Sequence, residues 1–190
     1  MIKFECNLRG SGNMNKKLQV FISSTYTDMI EERQAAVEAI LSAGHIPAGM
    51  ELFSAGNESQ LEVIQRWIDE SDVYMLILGG RYGSIEPKTG KSYIHLEYEY
   101  AISKGLPVFA VVIDEKALFK KASIQGKEVL ETKNKDKLIE FKKLVLSKMS
   151  KFFEDKKDIQ LAIHTTLLIS VRDTNYLVGL LEKNLVRLMN

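Results

Sequence analysis

The stretch Val73-Tyr-Met-Leu-Ile-Leu78 is an unbroken apolar run that leads directly into Gly79-Gly80-Arg81-Tyr82-Gly83. An apolar run of this length that ends in glycines is typical of a strand buried on both faces of a parallel sheet. Weaker runs of the same kind lie at residues 18–23, 46–52 and 107–113, and helical periodicity fills residues 60–71 and 93–104. This alternation predicts an α/β fold of the open, flavodoxin-like kind, with a parallel sheet in the middle of three α/β/α layers.

The first helix has its own start and stop signals. Asp28 and Glu31 have the spacing of a capping box, and apolar residues follow at helical spacing until Gly44. The sequence therefore predicts a helix that begins close to Asp28.

The pattern changes after Asp114. Residues 115–137 are charged and are predicted to form a loop, whereas residues 138–149, 159–169 and 177–188 have helical periodicity. Leu177, Leu181 and Leu188 either pack on the domain or form a dimer seam. We divide the chain into residues 1–13, an α/β core at 14–114, and a helical C-terminal part at 115–190 packed on that core.

The composition is that of a globular protein without a dominant charge. Of the 190 residues, 45% are hydrophobic and 27% charged, and 26 lysines and arginines nearly balance 25 acidic residues. A net charge of +1 gives no field to hold a polyanion, so no nucleic-acid partner is expected. The single cysteine excludes a multi-cysteine zinc site, and the three histidines show no metal-ligand spacing, so no metal is expected.

Targeting signals are not apparent. No apolar run approaches the roughly 18–20 residues that cross a bilayer, and the N-terminus lacks the apolar core of a signal peptide. We therefore expect a cytoplasmic location without a membrane partner. Residues 1–13 end in Gly-Ser-Gly-Asn before a second methionine, Met14, and we interpret them as a leader or vector-derived extension, or otherwise as a short strand or arm.

Two loops fall where open α/β sheets bind ligands, beyond the carboxyl ends of the strands and where the strand order reverses. The first holds five hydroxyl-bearing residues, Ser23-Ser24-Thr25-Tyr26-Thr27, ahead of a helix N-terminus. Hydroxyls and the positive helix end suit a phosphate or ribose, although serine and threonine are also ordinary N-caps. Ser23, Ser24 and Thr25 are candidate ligand-binding residues.

The second loop holds Gly79, Gly80, Arg81, Tyr82 and Gly83. Glycines permit close backbone approach, an arginine pairs with phosphate, and a tyrosine can stack on a base. The alternative is a plain turn with a solvated arginine. All five residues are candidate ligand-binding residues.

The segment that follows has some features of a phosphate-binding P-loop but not its spacing. Gly83 and Gly90 precede Lys91-Ser92, but six residues separate these glycines where the motif has four. Glu86 and Pro87 would also add a negative charge and remove an N–H donor. We therefore expect no triphosphate site in this loop.

Glu97 and Glu99 lie on the predicted helix 93–104. Residues two apart on a helix are rotated by roughly 200°, so only one of the two carboxylates can face a ligand. Glu97 shares a face with Ala101, whose small side chain leaves room for a ligand. Glu97 is therefore the candidate catalytic residue, and an ordinary solvated glutamate is the alternative.

Together these segments resemble the family of unknown function DUF4062. The resemblance is carried by residues 20–33, 47–53, 71–74, 79–84, 92–93 and 97–101, and residues 153–158 resemble the family's downstream segment. Such domains typically stand at the N-terminus of larger bacterial proteins with signalling NTPase or repeat modules. The resemblance therefore implies downstream signalling domains as partners.

More distantly, the sequence resembles the nucleoside 2-deoxyribosyltransferase and TIR-like group, which shares a flavodoxin-like fold. Deoxyribosyltransferases carry a nucleophilic glutamate in a Glu-x-Gly-x-Ala motif, and Glu97-Tyr-Glu-Tyr-Ala101 is similar, with Glu99 in the place of glycine. TIR-like relatives use a glutamate on the corresponding helix to cleave the glycosidic bond of NAD. The resemblance implies that Glu97 is catalytic and that Ser23, Ser24 and Arg81 hold the ribose and phosphates, with no resident cofactor.

Three functions are consistent with these features. The first is cleavage or transfer of the N-glycosidic bond of NAD or a nucleoside, with a carboxylate that stabilises or attacks the oxocarbenium ion. The second is a non-catalytic module that binds a nucleotide or self-associates. The third is another enzyme on the same fold, such as a phosphotransfer or redox domain.

Overall fold

The computed structural model describes residues 17–49 and 60–172, with side chains as far as residue 167. The expectations for the leader, for residues 50–53 and for the 177–188 helix lie outside the described residues. The strands are β1 (Gln19–Ser24), β2 (Ile46–Ala48), β3 (Val73–Leu78), β4 (Val108–Ile113) and β5 (Ser150–Phe153). The α-helices are α1 (Ile30–Ser42), α2 (Gln60–Asp69), α3 (Tyr93–Ser103), α4 (Glu115–Gln125), α5 (Lys135–Leu146) and α6 (Lys156–Arg172). A short 3-10 helix, Lys127–Val129, follows α4.

The strands form one parallel sheet in the order β2-β1-β3-β4-β5. The chain adds β2 on one side of β1 and β3 on the other, so the strand order reverses at β1. Ser23 pairs with Leu76 and Ser24 with Ile77, which brings the carboxyl ends of β1 and β3 to the same edge. The predicted flavodoxin-like fold is confirmed.

Helices cover both faces of the sheet, which explains why every residue of β3 is buried. On one face, α1 and α6 pack on alternate strand residues such as Ile22 and Met75. On the other face, α2, α3 and α5 pack on the intervening residues, such as Phe21 and Tyr74. This alternation places Ser23 towards α3 and Ser24 towards α1, because successive side chains of a strand point to opposite faces.

The predicted loop at residues 115–137 is wrong, because it contains α4. Asp114 caps this helix by accepting a hydrogen bond from the Lys116 backbone N–H at 2.8 Å. None of the residues of α4 is fully buried. It therefore lacks the apolar stripe by which a helix is recognised in a sequence.

The C-terminal part is also not wholly helical. Its strand β5 pairs with β4 and extends the sheet beyond residue 114. The strand sequence is Ser-Lys-Phe-Phe, and only Phe153 is buried, so no apolar run marks it. A four-residue edge strand of this kind has almost no periodic signal.

The predicted capping box does not form. Helix α1 starts at Ile30, and its N-cap, Met29, makes no side-chain cap. Asp28 is instead buried, with its carboxylate close to Gly79.

Candidate functional site

The site is built around the carboxyl end of β1. On the α3 side, the Ser23 hydroxyl donates a hydrogen bond to Glu97 Oε2 at 2.5 Å. On the α1 side, Arg33 donates to the Ser24 hydroxyl at 3.0 Å and to the Ile22 carbonyl at 3.2 Å. The two serines thus connect residues from both helical layers at the point where the strand order reverses.

The start of α3 determines which way Glu97 faces. Ser92 is the N-cap of this helix, and its hydroxyl accepts from the His95 backbone N–H at 3.4 Å. One turn further, Glu97, Tyr98 and Ala101 are buried against the sheet. Glu99 points away from the sheet and pairs with Lys91 at 2.7 Å. The structure therefore directs one carboxylate of the pair inwards.

The Glu97 carboxyl is held in a dry environment. It is 2% exposed, and burial raises its pKa to about 7, against the opposing effects of the Ser23 hydrogen bond and the Arg33 charge. Burial, and next the neighbouring Glu97 charge, also raise the pKa of the Tyr74 hydroxyl. A carboxyl that titrates near neutral pH can act either as an acid or as a carboxylate.

Buried polar atoms without a full set of partners lie in this part of the site. Glu97 Oε1 and the Tyr98 hydroxyl have no hydrogen-bond partner in the described part of the chain, and the Tyr74 hydroxyl faces Ser23, whose own hydroxyl is donated to Glu97. Most buried polar atoms in native proteins are paired, so such a cluster calls for an explanation. A site that receives its polar partners from a ligand would provide one.

A cavity of about 320 Å³ lies beside the same end of β1, between α1 and β2. Its apolar walls are formed by Ile22, Ile30, Val37, Pro47 and Ala48. Its polar lining is formed by Tyr26, Arg33 and Gln34. Arg33 therefore contacts the cavity and the Ser24 hydroxyl together. Glu97 is behind β1 and is not part of this lining.

In the loop after β3, the absence of side chains at Gly79 and Gly80 leaves space that other residues of the protein fill. A side chain at Gly79 would meet the Met29 side chain and the Asp28 carboxylate. A side chain at Gly80 would come within 2.5 Å of the Val129 carbonyl and of Leu118. At Gly83, φ is +91°, a backbone conformation that favours glycine. The space beside Gly79 and Gly80 is thus filled by residues just before α1, by Leu118 of α4 and by the Val129 carbonyl, and the ligand-binding role of the two glycines stays a prediction.

Arg81 and Tyr82 lie in different surroundings, Arg81 near the β1 loop and Tyr82 in the core. Arg81 donates to the Thr27 hydroxyl at 3.2 Å, which keeps it near the β1 loop. Tyr82 is 1% exposed, and its hydroxyl lies 2.8 Å from His95 Nδ1. Its ring packs edge-on against Phe141. Tyr82 is thus a core residue and does not present a free face for a base.

Thr25 and Asp28 form a second buried polar group. Both Asp28 carboxylate oxygens and the Thr25 hydroxyl are buried and make no hydrogen bond of good geometry among the described residues. Burial raises the pKa of Asp28, and the nearby Thr25 hydroxyl, the Asp28 backbone N–H and then the charges of Arg81 and Lys121 oppose this. Neither Asp28 nor Arg33 was predicted from the sequence as a site residue. Arg33 had a signal, because it interrupts the apolar positions Ile30, Val37 and Ile40 at helical spacing.

Metal and membrane features can be stated for the described ranges only. Across residues 17–49 and 60–172, no group of three or more His, Cys, Asp or Glu residues is placed to hold a metal ion. Within the same ranges, no helix combines the length and apolar character that crossing a bilayer requires.

The parallel sheet and its covering helices define a flavodoxin-like, TIR-like α/β domain. The chain belongs to the family described as "Domain of unknown function (DUF4062)", whose model matches residues 19–168. This match includes α4, α5, β5 and most of α6, so the family's unit extends well beyond β4. No curated protein matches the sequence.

Solved structures resemble this fold at low sequence identity. A TIR-domain chain, from "Structure of the activated Roq1 resistosome directly recognizing the pathogen effector XopQ (TIR domains)", is 14% identical, with a TM-score of 0.53. The match covers 80% of this chain and 99% of that one. A flavo di-iron protein mutant from Thermotoga maritima is 15% identical, with a TM-score of 0.43 over 81% of this chain and 35% of that one. The first likeness shows the fold, and the second is too weak for a conclusion.

Proposed function

We propose that this domain binds NAD or a nucleoside at the carboxyl end of β1 and cleaves or transfers its N-glycosidic bond, with Glu97 as the catalytic carboxylate. The observation that carries the proposal is the Glu97 carboxyl itself. It is buried where the strand order reverses, bonded through one oxygen to Ser23, and has a pKa of about 7. Raised pKa values of this kind cluster at functional sites.

The chemistry needs a single carboxylate beneath the sugar. As the C1′–N bond breaks, the electron pair leaves with the base and positive charge develops on the sugar. The Glu97 carboxylate stabilises that cation or attacks C1′. Water or a free nucleobase then bonds to C1′ and loses a proton, and any bond between C1′ and Glu97 breaks with its electron pair returning to the carboxylate. A dry site strengthens this electrostatic effect, because charges interact more strongly where water is excluded.

Other residues have supporting roles in this proposal. Ser23 orients the carboxylate through its hydrogen bond. Arg33, which lines the cavity and bonds to Ser24, would pair with a phosphate or a sugar hydroxyl. Glu97 lies on the opposite side of β1 from the cavity. The proposal therefore requires the substrate to extend past the carboxyl end of β1, with side chains there moving so that the sugar reaches Glu97.

The direct test is turnover measured by mass spectrometry. The protein is incubated with NAD, NADP and a panel of nucleosides, beside Glu97→Gln and, as a matched control on the same helix, Glu99→Gln. We expect base release by the wild type and by Glu99→Gln, and a loss of about a hundredfold or more in Glu97→Gln. Full activity in folded Glu97→Gln would refute the role of Glu97.

A second candidate is a non-catalytic binding and self-association module, the form in which the domain would serve a larger bacterial signalling or defence protein. The observation that favours it is the closure of the site, since only 2% of Glu97 is exposed. The similar TIR domains of Roq1 also belong to an activated resistosome.

Light scattering with and without NAD distinguishes the enzyme from the binding and self-association module. A mass that rises with NAD, without base release, supports the module, whereas a monomer that releases base supports the enzyme.

A further inference from the structure

The near-neutral charge of the whole chain conceals a basic region. Residues 135–153, from the start of α5 to the end of β5, contain six lysines and two acidic residues. The other 171 residues contain 20 basic and 23 acidic ones. The excess positive charge is therefore concentrated in one short segment of the fold.

Apolar side chains are exposed among these lysines. Lys135, Ile139, Lys143 and Leu146 are all exposed and recur every three or four residues, so they share one face of α5. The exposed fractions are 52% for Ile139, 39% for Leu146, 37% for Met149 and 57% for Phe152. We call the group of residues that shares this character the α5–β5 surface: Lys135, Ile139, Lys143, Leu146, Lys148, Met149, Lys151 and Phe152.

The lysines of this surface differ from several others in the molecule. Lys91, Lys104, Lys121 and Lys156 each form an ion pair with a carboxylate. Within the described residues, Lys143, Lys148 and Lys151 form no ion pair or side-chain hydrogen bond. Their charges are thus available to an outside group.

The α5–β5 surface includes an edge strand of the sheet, β5. β5 is the last strand of the sheet, and the carbonyls of Met149 and Phe153 accept from β4 and from Asp114 next to it. Because alternate residues direct their backbone groups to opposite sides, Ser150 and Phe152 direct theirs away from β4. No hydrogen bond reaches those groups in the part of the chain that the structure describes.

The opposite edge of the sheet is less suited to pairing. β2 has three residues, and its middle residue, Pro47, has no N–H to donate. β5 contains no proline. An open edge with exposed apolar side chains is a template for an added strand, and the charges beside it select what can add.

We propose that the α5–β5 surface binds an extended acidic segment of a partner protein, which pairs with β5 as a sixth strand. Its backbone would bond to Ser150 and Phe152, its apolar residues would cover Phe152 and Met149, and its carboxylates would pair with Lys148 and Lys151. This interaction is independent of the Glu97 site. Exposed apolar side chains beside a free strand edge fit a peptide better than they fit the phosphate backbone of a nucleic acid.

The test uses the full chain and two fluorescein-labelled peptides of ten residues. In the probe, valine alternates with glutamate, and in the control peptide valine alternates with lysine. Fluorescence anisotropy should show that the protein binds the glutamate peptide at least about tenfold more tightly than the lysine peptide. Equal binding of the two peptides would overturn the proposal.

Variants locate the interaction. Reversing Lys148 and Lys151 together to glutamate should weaken binding about tenfold. The matched control reverses Lys116 and Lys120 on α4, which changes the net charge equally and should weaken binding less than about twofold. An equal loss in the two double variants would mean general charge attraction and would overturn the proposed site.

Strand addition has its own readouts. Ser150→Pro removes an N–H that points away from β4 and should weaken binding about tenfold while the protein stays folded. In the unaltered chain, the amides of Ser150 and Phe152 should become protected from hydrogen exchange when the glutamate peptide binds. Unchanged exchange at these amides, or tighter binding of a single-stranded oligonucleotide of equal charge, would overturn strand addition by an acidic segment.

Discussion

The loops that follow β1 and β3 begin at the same edge of the sheet, yet their side chains have different functions there. The loop after β1 brings side chains together, with Ser23 on Glu97 and Ser24 on Arg33. The loop after β3 is shaped by the absence of side chains, because Gly79 and Gly80 make room for Met29, Leu118 and the Val129 carbonyl. Polar loops at a sheet edge are therefore not equivalent. Hydroxyl groups can serve a ligand, whereas glycines can equally serve the packing of the protein itself.

The largest expected effect tests the β1 side. The pKa of Glu97, about 7 in the folded protein, lies above the 4.5 of an ordinary glutamate, so the folded state holds its proton more tightly than the unfolded state. Stability should therefore fall as the pH rises from about 4.5 to 7, by an amount on the order of 3 kcal/mol from this group. Glu97→Gln should lose this slope, as measured by urea unfolding at several pH values.

The control for this experiment is Glu99→Gln, which removes a partly exposed ion pair with Lys91 and a contact of 3.3 Å with His95 Nε2. It should keep the fall in stability that Glu97 produces and change stability by less than about 1 kcal/mol. The part of the profile that depends on His95 changes, because Glu99 raises the pKa of that histidine. Parallel pH profiles for wild type and Glu97→Gln would show that the Glu97 carboxyl is not buried as described.

The next effect tests the β3 side. Gly80→Ala should destabilise the protein by about 2–3 kcal/mol, because the added carbon meets a backbone carbonyl that cannot turn aside. Gly79→Ala should cost less, about 1 kcal/mol, because the flexible end of Met29 can move. Urea midpoints check this order. A loss of nucleotide binding without any loss of stability would instead mean that these glycines contact the ligand.

A smaller effect returns to the hydroxyl groups. Ser23→Ala removes the hydrogen bond that lowers the Glu97 pKa, so the upper end of the stability slope, which marks the folded-state pKa, should move above pH 7. The free energy of unfolding at pH 8 should fall by about 1–2 kcal/mol. In Ser24→Ala the bond to Glu97 is intact, so the upper end of the slope should stay where it is. An upper end that moves equally in both variants would contradict the separate roles of the two serines.

The smallest expected effect concerns Tyr82. Tyr82→Phe removes the hydroxyl that meets His95 Nδ1 at 2.8 Å and should cost about 1 kcal/mol, with no change in nucleotide binding. Tyr100→Phe is the matched control, since its hydroxyl bonds to Asp69 at the exposed surface and should cost less. Weaker ligand binding in Tyr82→Phe would restore the interpretation of Tyr82 as a stacking residue.

The sequence predicted the elements that have strong periodicity. The apolar run of β3 and the alternation from β1 to β4 were sufficient to predict the fold, because burial on both faces leaves a continuous apolar signal. The strand β5 and the helix α4 were missed, because one has a single buried residue and the other none. Edge elements depend on tertiary pairing rather than on their own pattern.

The site was predictable only in part. Helix geometry alone indicated that one of Glu97 and Glu99 would face inwards, and Glu97 does. The packing around Gly80 was not predictable, because the carbonyl that fills the space beside it belongs to Val129, which is distant in the sequence. Long-range packing of this kind leaves no mark in local spacing.

The position of α6 bears on how the protein is made. Ile159, Ile163 and Leu167 pack into the same core as Ala36 and Ile40 of α1. Synthesis proceeds from the N-terminus, so the elements that cover α1 and β4 are made last. The edge of β4 stays exposed until β5 has left the ribosome, and the apolar face of α1 stays exposed until α6 has emerged as far as residue 167. A nascent chain arrested at Asp114 should therefore bind chaperones and be readily cleaved by proteases. A chain arrested after residue 172 has left the exit tunnel should be able to complete its hydrophobic core.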